Sequence, residues 1–330
     1  MKVVLFFVQV NILLYLCSVM EQRKGILGSR SGWMKGFVWF GIMVGLTVLV
    51  MTVWTMLPID HQATQALKWF QFVQTLATFF APPLLVAYLC SREPNEWLGL
   101  KLNAGIPVSL NIGIFIVAIV LMLVAIPGIN FLAYWNSQMS LPDCLKPLED
   151  LMRQQEEAAA LLTERFLIGT GAEVLVANMV LMALLPAMSE EMTFRGVLQR
   201  LIAKQGATGG LRLTGRQHAA IWAVAIIFSA VHFQFFGFVP RMLLGALFGY
   251  ALCWTGSLWI PITMHFVNNA ATVVAFWIIY NNNLNRDVID SFGTGDTLWV
   301  GIVSLVLTGL GIYCFWRLSR TISKASSRIS

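Results

Sequence analysis

The segment "VLVANMVLMALLPAMS", residues 174–189, runs for sixteen residues without a charged side chain and leads directly into Glu190 and Glu191. Such a run approaches the roughly 20 apolar helical residues that cross a bilayer. The whole chain of 330 residues is similar, because 58% of its residues are hydrophobic and only 12% are charged, with a mean hydropathy of +0.73. Soluble domains carry about 25% charged residues, so the composition predicts an integral membrane protein.

Hydropathy predicts an all-α fold, a polytopic transmembrane bundle of about eight or nine spans with one amphipathic surface helix. The predicted spans are residues 3–20, 36–57, 67–90, 106–134, 170–190, 217–236, 239–254, 259–280 and 298–316. The amphipathic helix covers residues 141–167, where Leu145, Leu148, Leu151 and Met152 recur at helical spacing among charged residues. This pattern suits a helix that lies on the outer membrane surface and equally one that packs on the bundle.

The chain divides into four regions by composition. Residues 1–135 contain apolar spans of unassigned role, and residues 136–168 contain the amphipathic extramembrane helix. Residues 169–285 contain nearly all the polar side chains that fall within spans, and residues 286–330 contain the last span and a basic tail. We therefore expect the chemistry of the protein in the third region.

Charged residues in the loops predict the orientation of the chain. Residues 21–35, 200–216 and 317–330 are basic, whereas residues 143–165 and 281–297 are acidic. Lys and Arg prefer the cytoplasmic side of a membrane. Nine crossings place every basic segment inside, with the N-terminus out and the C-terminus in. The net charge of +6 then belongs to cytoplasmic loops, and no soluble basic module indicates nucleic acid as a partner.

Six polar residues within the third region are candidates for a functional site. A charge inside a span costs about 2.5–3.5 kcal/mol on insertion scales, so such residues usually face a cavity or a partner. Without the other members of the set, each has an ordinary alternative, such as a charged helix end at the interface or an interhelical hydrogen bond. The candidates are Glu190, Glu191, Arg195, His232, His265 and Asn269.

Helix geometry predicts that these side chains meet. Glu190 and His232 each lie 21 residues from position 211, the middle of a basic loop between two antiparallel spans, so they share one depth. His265 and Asn269 are four residues apart and share a helical face, as do Glu191 and Arg195. Because Glu190 is rotated about 100° from Glu191, we expect Glu190 to face a cavity with His232 while Arg195 holds Glu191.

This arrangement is compatible with more than one chemistry. A Glu beside a His can activate water as a general base, and a second His with an Asn can donate hydrogen bonds to a developing oxyanion. Proton-coupled transport also uses intramembrane Glu and His. Glu190, His232 and His265 are further a conceivable zinc ligand set, although the chain has no HExxH motif. Spacing alone leaves hydrolysis, transport and a zinc site open.

Three motifs resemble those of the CPBP family of intramembrane proteases, also called the CAAX amino-terminal protease or Abi family. "EEMTFR" (190–195) resembles the EExxxR motif, "FSAVH" (228–232) resembles FxxxH, and "HFVNN" (265–269) resembles HxxxN. They occur in the order of the family, and each lies on an apolar span. The resemblance covers roughly residues 170–280.

The resemblance implies a multi-helix glutamic endopeptidase without a metal cofactor, similar to the type II CAAX prenyl proteases. It implies that Glu190 activates water with His232, that His265 and Asn269 form the oxyanion hole, and that Glu191 and Arg195 support them. It further implies a bacterial plasma membrane, contact with lipid, and a protein or peptide substrate that is in some members lipid-modified. A membrane scaffold or bacteriocin-immunity protein and a proton-coupled transporter remain the alternatives.

Overall fold

The computed structural model describes residues 25–101, 108–204, 213–285 and 291–326. These ranges contain helices and turns and no β-strand. The helices are α1 (Gly32–Met56), α2 (Thr64–Cys90), α3 (Pro94–Leu98), α4 (Val108–Ser137), α5 (Lys146–Leu167), α6 (Ala172–Ala203), α7 (Gly215–Ala230), α8 (Phe238–Thr255), α9 (Trp259–Asn282) and α10 (Leu298–Ser326).

The membrane-spanning architecture is confirmed. Within the described ranges, seven helices are long and apolar enough to cross a membrane, namely α1, α2, α4, α6, α8, α9 and α10. The first predicted span, residues 3–20, lies outside the described residues. Helix α7 has 16 residues and is the short eighth member of the bundle.

The predicted span 217–236 is wrong at its C-terminal end, because α7 stops at Ala230. A link follows in which Phe233 has a φ of 54° and residues Phe235–Gly237 form a 3₁₀ turn. Irregular backbone within an apolar bundle needs internal hydrogen-bond partners. Asn136 of α4 supplies two of them, since its amide nitrogen donates to the Phe235 carbonyl at 3.2 Å and its oxygen accepts from the Val239 N–H at 2.7 Å.

Prolines inside the spans leave carbonyl groups that neighbouring helices satisfy. Pro83 in α2 has no N–H to offer the carbonyl of Phe79, four residues earlier. A π-helical turn, Leu76–Phe80, precedes this site, and the Thr193 hydroxyl of α6 donates to the Phe79 carbonyl at 2.8 Å. The contact fixes α2 against α6 close to the candidate glutamates.

Next to Pro127 in α4, a side chain of a neighbouring helix bonds two adjacent backbone groups. The Ser304 hydroxyl of α10 donates to the Val124 carbonyl at 2.5 Å and accepts from the Gly128 N–H at 2.9 Å. A side chain inserted into the helical hydrogen-bond ladder is a usual companion of a kink. Helices α4 and α10 are thus joined at the middle of the bundle.

Two apolar clusters hold the bundle together. In the first, Met122 of α4, Phe248 of α8, Met264 of α9 and Phe315 of α10 are fully or almost fully buried. The second joins α1, α2, α3 and α6, so the N-terminal spans pack directly on the helix that carries the two glutamates; its buried members include Trp39, Val86, Leu98, Met192 and Val197.

Helix α5 confirms the predicted amphipathic segment and distinguishes between its two interpretations. Leu145, Leu148 and Leu151 are 44%, 48% and 52% exposed, so these three leucines do not pack on the bundle, whereas Met152 is half-buried. Glu149, one residue after Leu148, is only 3% exposed. An exposed apolar row next to membrane spans suits contact with lipid.

The two ends of the bundle differ in charge. The basic end, where α1 and α7 begin and α6 and α10 end, carries Arg30, Lys35, Arg200, Lys204, Arg216, Arg317 and Arg320. The acidic end consists of residues 138–171, which include α5, and of the link between α7 and α8. Its helix α5 places Glu156 against that link, where the carboxylate accepts the Phe236 N–H at 3.1 Å.

Candidate active site

The two adjacent glutamates of α6 face different surroundings, as their rotation on the helix predicts. The Glu190 side chain is 18% exposed, whereas the Glu191 side chain is completely buried. They lie between two π-helical turns of α6, Met179–Leu184 and Met192–Gln199. The first turn precedes Pro186, and wide turns of this kind are frequent at functional sites.

Arg195 holds Glu191, as the sequence predicts. The guanidinium Nη1 lies 2.7 Å from Glu191 Oε1, and both side chains are 0% exposed. The Nη2 group donates to the Gly245 carbonyl of α8 at 3.0 Å. Phe228 stacks under the guanidinium, with the Cζ atom 4.5 Å from the ring centre. The two terminal nitrogens of the buried cation therefore meet a carboxylate and a carbonyl, and one face of the guanidinium meets a π-system.

Close approach of α8 to α6 and α7 depends on two glycines. A Cβ atom on Gly249 would lie 2.7 Å from the Gln199 Oε1 of α6, and one on Gly245 would lie 3.2 Å from the Ala225 Cα of the neighbouring helix α7. Because the glycines have no Cβ atom, Arg195 reaches the Gly245 carbonyl, and Gln199 reaches the Gly249 carbonyl at 3.1 Å. The small-xxx-small pattern is explained by packing, and it also exposes carbonyls to the site.

His265 makes a contact that the sequence did not predict. Its Nδ1 atom lies 2.9 Å from Glu191 Oε1, the same oxygen that pairs with Arg195. The ring stacks on Phe248 at 5.3 Å and 23°. Its Nε2 atom lies 4.0 Å from Glu190 Oε2. The imidazole therefore bridges the two glutamates, with Nδ1 toward the buried one and Nε2 toward the cavity.

His232 follows the end of α7 and has its tautomer fixed by the backbone. Its Nδ1 atom lies 2.7 Å from the carbonyl oxygen of Phe228. A carbonyl oxygen can only accept a hydrogen bond, so Nδ1 carries the proton and the neutral ring has its lone pair on Nε2. The Phe228 ring meets the His232 ring edge to face at 5.0 Å.

These groups surround one cavity of about 360 Å³. Glu190, His232, His265 and Asn269 line it together. Asn269 accepts from Asn268 through Oδ1 at 3.2 Å, which directs its amide nitrogen elsewhere as a donor. The whole lining consists of Ile129, Ala133, Glu190, Phe228, His232, Gly237, Pro240, Arg241, Leu244, Phe248, His265, Asn268 and Asn269.

Arg241 is a lining residue that the sequence analysis did not include among the candidates. Its guanidinium is held by Gln234, through the carbonyl at 3.2 Å and the side-chain oxygen at 2.6 Å. In the sequence it stands in the first turn of a span, where a cation usually anchors a helix end. Only the end of α7 at Ala230, with the link that follows, brings Arg241 to the cavity.

The charges of Glu190, Glu191, Arg195 and His265 sum to zero when one proton is placed on either Glu190 or His265. The Glu191 carboxylate is paired with the Arg195 cation. Glu190 and His265 are together neutral when they share one proton, located on either the carboxylate or the imidazole. An uncompensated charge is costly in such apolar surroundings. One proton placed on either Glu190 or His265 therefore keeps the site neutral.

The zinc alternative finds no ligand cluster among the residues that the structure describes. In that part of the chain, no three His, Cys, Asp or Glu side chains lie close enough to hold a metal ion. Glu190 Oε2 and His265 Nε2 lie 4.0 Å apart, and His232 lines the same cavity, without forming such a cluster.

Comparison with known proteins concerns the same part of the chain. Residues 172–271 match the family model described as Rce1-like, type II CAAX prenyl endopeptidase. This segment extends from the start of α6 into α9 and contains all six candidate residues. The resemblance of this segment to CAAX-type proteases is therefore confirmed, and it supports a membrane-embedded peptide hydrolase.

One curated relative is the uncharacterized protein YpbD of Bacillus subtilis (strain 168). It is 31% identical over 99 residues, which are 29% of this chain and 43% of the relative. The match thus spans less than half of the length of the curated relative. No solved structure matches the chain.

Proposed function

We propose that the protein is an intramembrane glutamic endopeptidase, which hydrolyses peptide bonds with water activated at Glu190. The observation that carries the proposal is that the two adjacent glutamates have different surroundings. Glu190 faces a cavity with His232, His265 and Asn269, whereas Glu191 is sealed in a pair with Arg195. A structural ion pair needs one carboxylate, so the second, cavity-facing carboxylate calls for another role.

Water activation follows from the acceptors that face the cavity. Glu190 offers carboxylate oxygens, and His232 offers the Nε2 lone pair because its Nδ1 proton is used by the Phe228 carbonyl. A water between them donates one hydrogen bond to each, which directs an oxygen lone pair toward a substrate carbonyl. When the water attacks, its proton passes to Glu190, and Glu190 then delivers that proton to the leaving amine.

The oxyanion of the tetrahedral intermediate is stabilised from α9. His265 donates through Nε2 when it carries the shared proton, and the Glu191 carboxylate at Nδ1 stabilises the resulting imidazolium. Asn269 donates through its amide nitrogen from the same face of α9. Removal of one such donor typically costs about 2.7–4 kcal/mol of transition-state stabilisation. Glu191 and Arg195 are positioning residues, since they act through His265.

The setting of this activity is a bacterial plasma membrane, with the basic end in the cytoplasm, the N-terminus out and the C-terminus in. Support comes from the basic side chains gathered at one end of the bundle and from the similarity to a Bacillus protein. The partners are membrane lipid and a protein or peptide substrate, including a lipid-modified one. No nucleic acid and no cofactor enters the proposed reaction.

The test compares protein termini in membranes from cells that make equal amounts of wild type, Glu190→Gln, His232→Ala or Glu173→Gln protein. Glu173 is an exposed acid at the start of α6 and serves as the matched control. New termini are expected with wild type and Glu173→Gln, and a decrease of roughly 100-fold or more is expected with the other two variants.

The same comparison separates the alternatives. Termini that disappear with chelator and return with zinc would assign the reaction to a metal centre instead. Equal termini in all four membranes would refute the proposal and leave a scaffold or a transporter.

A further inference from the structure

The cavity lies at the acidic end of the bundle. Its lining residues on α4, Ile129 and Ala133, stand in the last third of that helix, which ends at Ser137. Its lining on α8 begins in the first turn with Pro240 and Arg241 and continues deeper into the helix with Leu244 and Phe248. His232 and Gly237, at either side of the link between α7 and α8, complete this rim. The mouth of the cavity is thus next to the link that Glu156 of α5 contacts.

The opposite side of the glutamates is closed by apolar packing. Met192, Val197, Leu98 and Leu258 lie toward the basic end and are at most 2% exposed. They belong to one cluster that joins α1, α2, α3, α6 and α9. The described side chains therefore leave no wide route for a polypeptide from the basic end to Glu190.

A backbone cap strengthens this closure. Residues 91–101 pass under the turn between α8 and α9, where the Leu258 N–H donates to the Gly99 carbonyl at 2.8 Å. The Trp259 indole donates to the Leu100 carbonyl at 2.7 Å. Gly99 has a φ of 82°, which glycine adopts without the steric cost of a side chain. The cap and the apolar cluster together seal the basic end below His265.

Charge assigns these two ends to the two sides of a membrane. Short loops rich in Lys and Arg stay in the cytoplasm, and the basic end carries Arg30, Lys204, Arg216 and Arg317. The acidic end, with the mouth of the cavity, therefore faces away from the cytoplasm.

We propose that this site is served from the extracytoplasmic side, and that its substrates are outward-facing polypeptide segments next to the membrane, as in exported or membrane-anchored proteins. The substrate class rests on the proposed function, whereas the side of access rests on geometry and charge alone. A tail presented from the cytoplasm meets the sealed end and does not reach Glu190.

Cysteine labelling in intact cells tests the side of access without any need for activity. Cys144 is exposed at the acidic end and serves as a natural reporter once the other four cysteines are replaced by serine. Two further reporters, in the same background with Cys144→Ser, are Ala133→Cys in the cavity and Ser29→Cys at the basic end. Each is treated with a charged, membrane-impermeant maleimide, before and after permeabilisation of the membrane.

The expected result is that Cys144 and Ala133→Cys are labelled in intact cells, whereas Ser29→Cys is labelled only after permeabilisation. Labelling of Ser29→Cys in intact cells, with Cys144 protected, would overturn the assignment of the ends. Labelling of Ala133→Cys only after permeabilisation, or only after denaturation, would overturn the position of the mouth.

A second measurement links access to cleavage. Attachment of a bulky impermeant maleimide to Ala133→Cys in intact cells is expected to lower the Glu190-dependent termini at least tenfold relative to the unlabelled cells. Unchanged cleavage after complete labelling would contradict the proposed route. If no terminus depends on Glu190 at all, the proposed protease function fails, while the labelling pattern still decides the side of access.

Discussion

The buried pair of Glu191 and Arg195 gives a prediction whose magnitude follows from the structure. Arg195→Met leaves a carboxylate that is 0% exposed without its cation, and breaking a buried pair on one side costs about 3–5 kcal/mol. His265 still donates to the same carboxylate oxygen, which favours the lower end of that range. We therefore expect a loss of about 3 kcal/mol in the free energy of unfolding, or about 100-fold in the folding equilibrium.

The double variant Glu191→Gln/Arg195→Met separates charge from packing. It removes both charges and keeps an oxygen that accepts from His265, so we expect it to regain more than half of the loss. Activity is not expected to return, because His265 then lacks the carboxylate that stabilises its imidazolium form. The free energy of unfolding and the peptidase activity should thus respond differently to the second substitution.

The assay is reversible unfolding of the purified protein in detergent, followed by tryptophan fluorescence in a double-mutant cycle. The exposed Arg92 provides the control, since Arg92→Met should stay within about 0.5 kcal/mol of wild type. A double variant that is less stable than Arg195→Met would refute the reasoning, because the loss would then not arise from an uncompensated buried charge.

Three further predictions concern packing, a capped carbonyl and pH. Gly249→Ala should destabilise by about 1–3 kcal/mol, because its Cβ would lie 2.7 Å from a side-chain oxygen of α6, whereas Gly41→Ala, with open space around it, should not; the same unfolding assay checks both. Thr193→Val should cost about 0.6 kcal/mol in that assay, and no change would show that the Phe79 carbonyl needs no donor. Hydrogen bonds from the Leu141 N–H and from Arg153 hold the pKa of the Glu149 carboxyl below its ordinary value. The stabilisation by the ionised Glu149 is therefore present at neutral pH and is lost as the pH falls through its lowered pKa. Proteolysis within α5 should thus increase on acidification in wild type. In Glu149→Gln it should be independent of pH over the same range.

Much of the fold and of the site can be predicted from local rules. The spans follow from apolar length, and the different surroundings of Glu190 and Glu191 follow from a rotation of one residue on a helix. The meeting of Glu190 with His232 follows from equal distances to one turn. Each of these inferences needs only the geometry of a single helix or a single hairpin.

Other features depend on how distant helices meet, which the sequence pattern does not reveal. The predicted span 217–236 continued past Ala230 because its residues are apolar, whereas the chain turns there with help from Asn136 of α4. The contact between His265 and Glu191 depends on the approach of α9 to α6. Arg241 reaches the cavity only through this early turn.

The paired contacts of Arg195 with Gly245 and of Gln199 with Gly249 have a mechanical consequence. Donors one turn apart on α6 meet carbonyls one turn apart on α8. A slide of either helix by a fraction of a turn breaks both bonds, and a slide of a full turn of about 5.4 Å restores only one. We therefore expect helices α6 and α8 to move as one rigid body. Any motion that admits a substrate is left to the link between α7 and α8, which one side chain of α4 and one of α5 tie to those helices by hydrogen bonds.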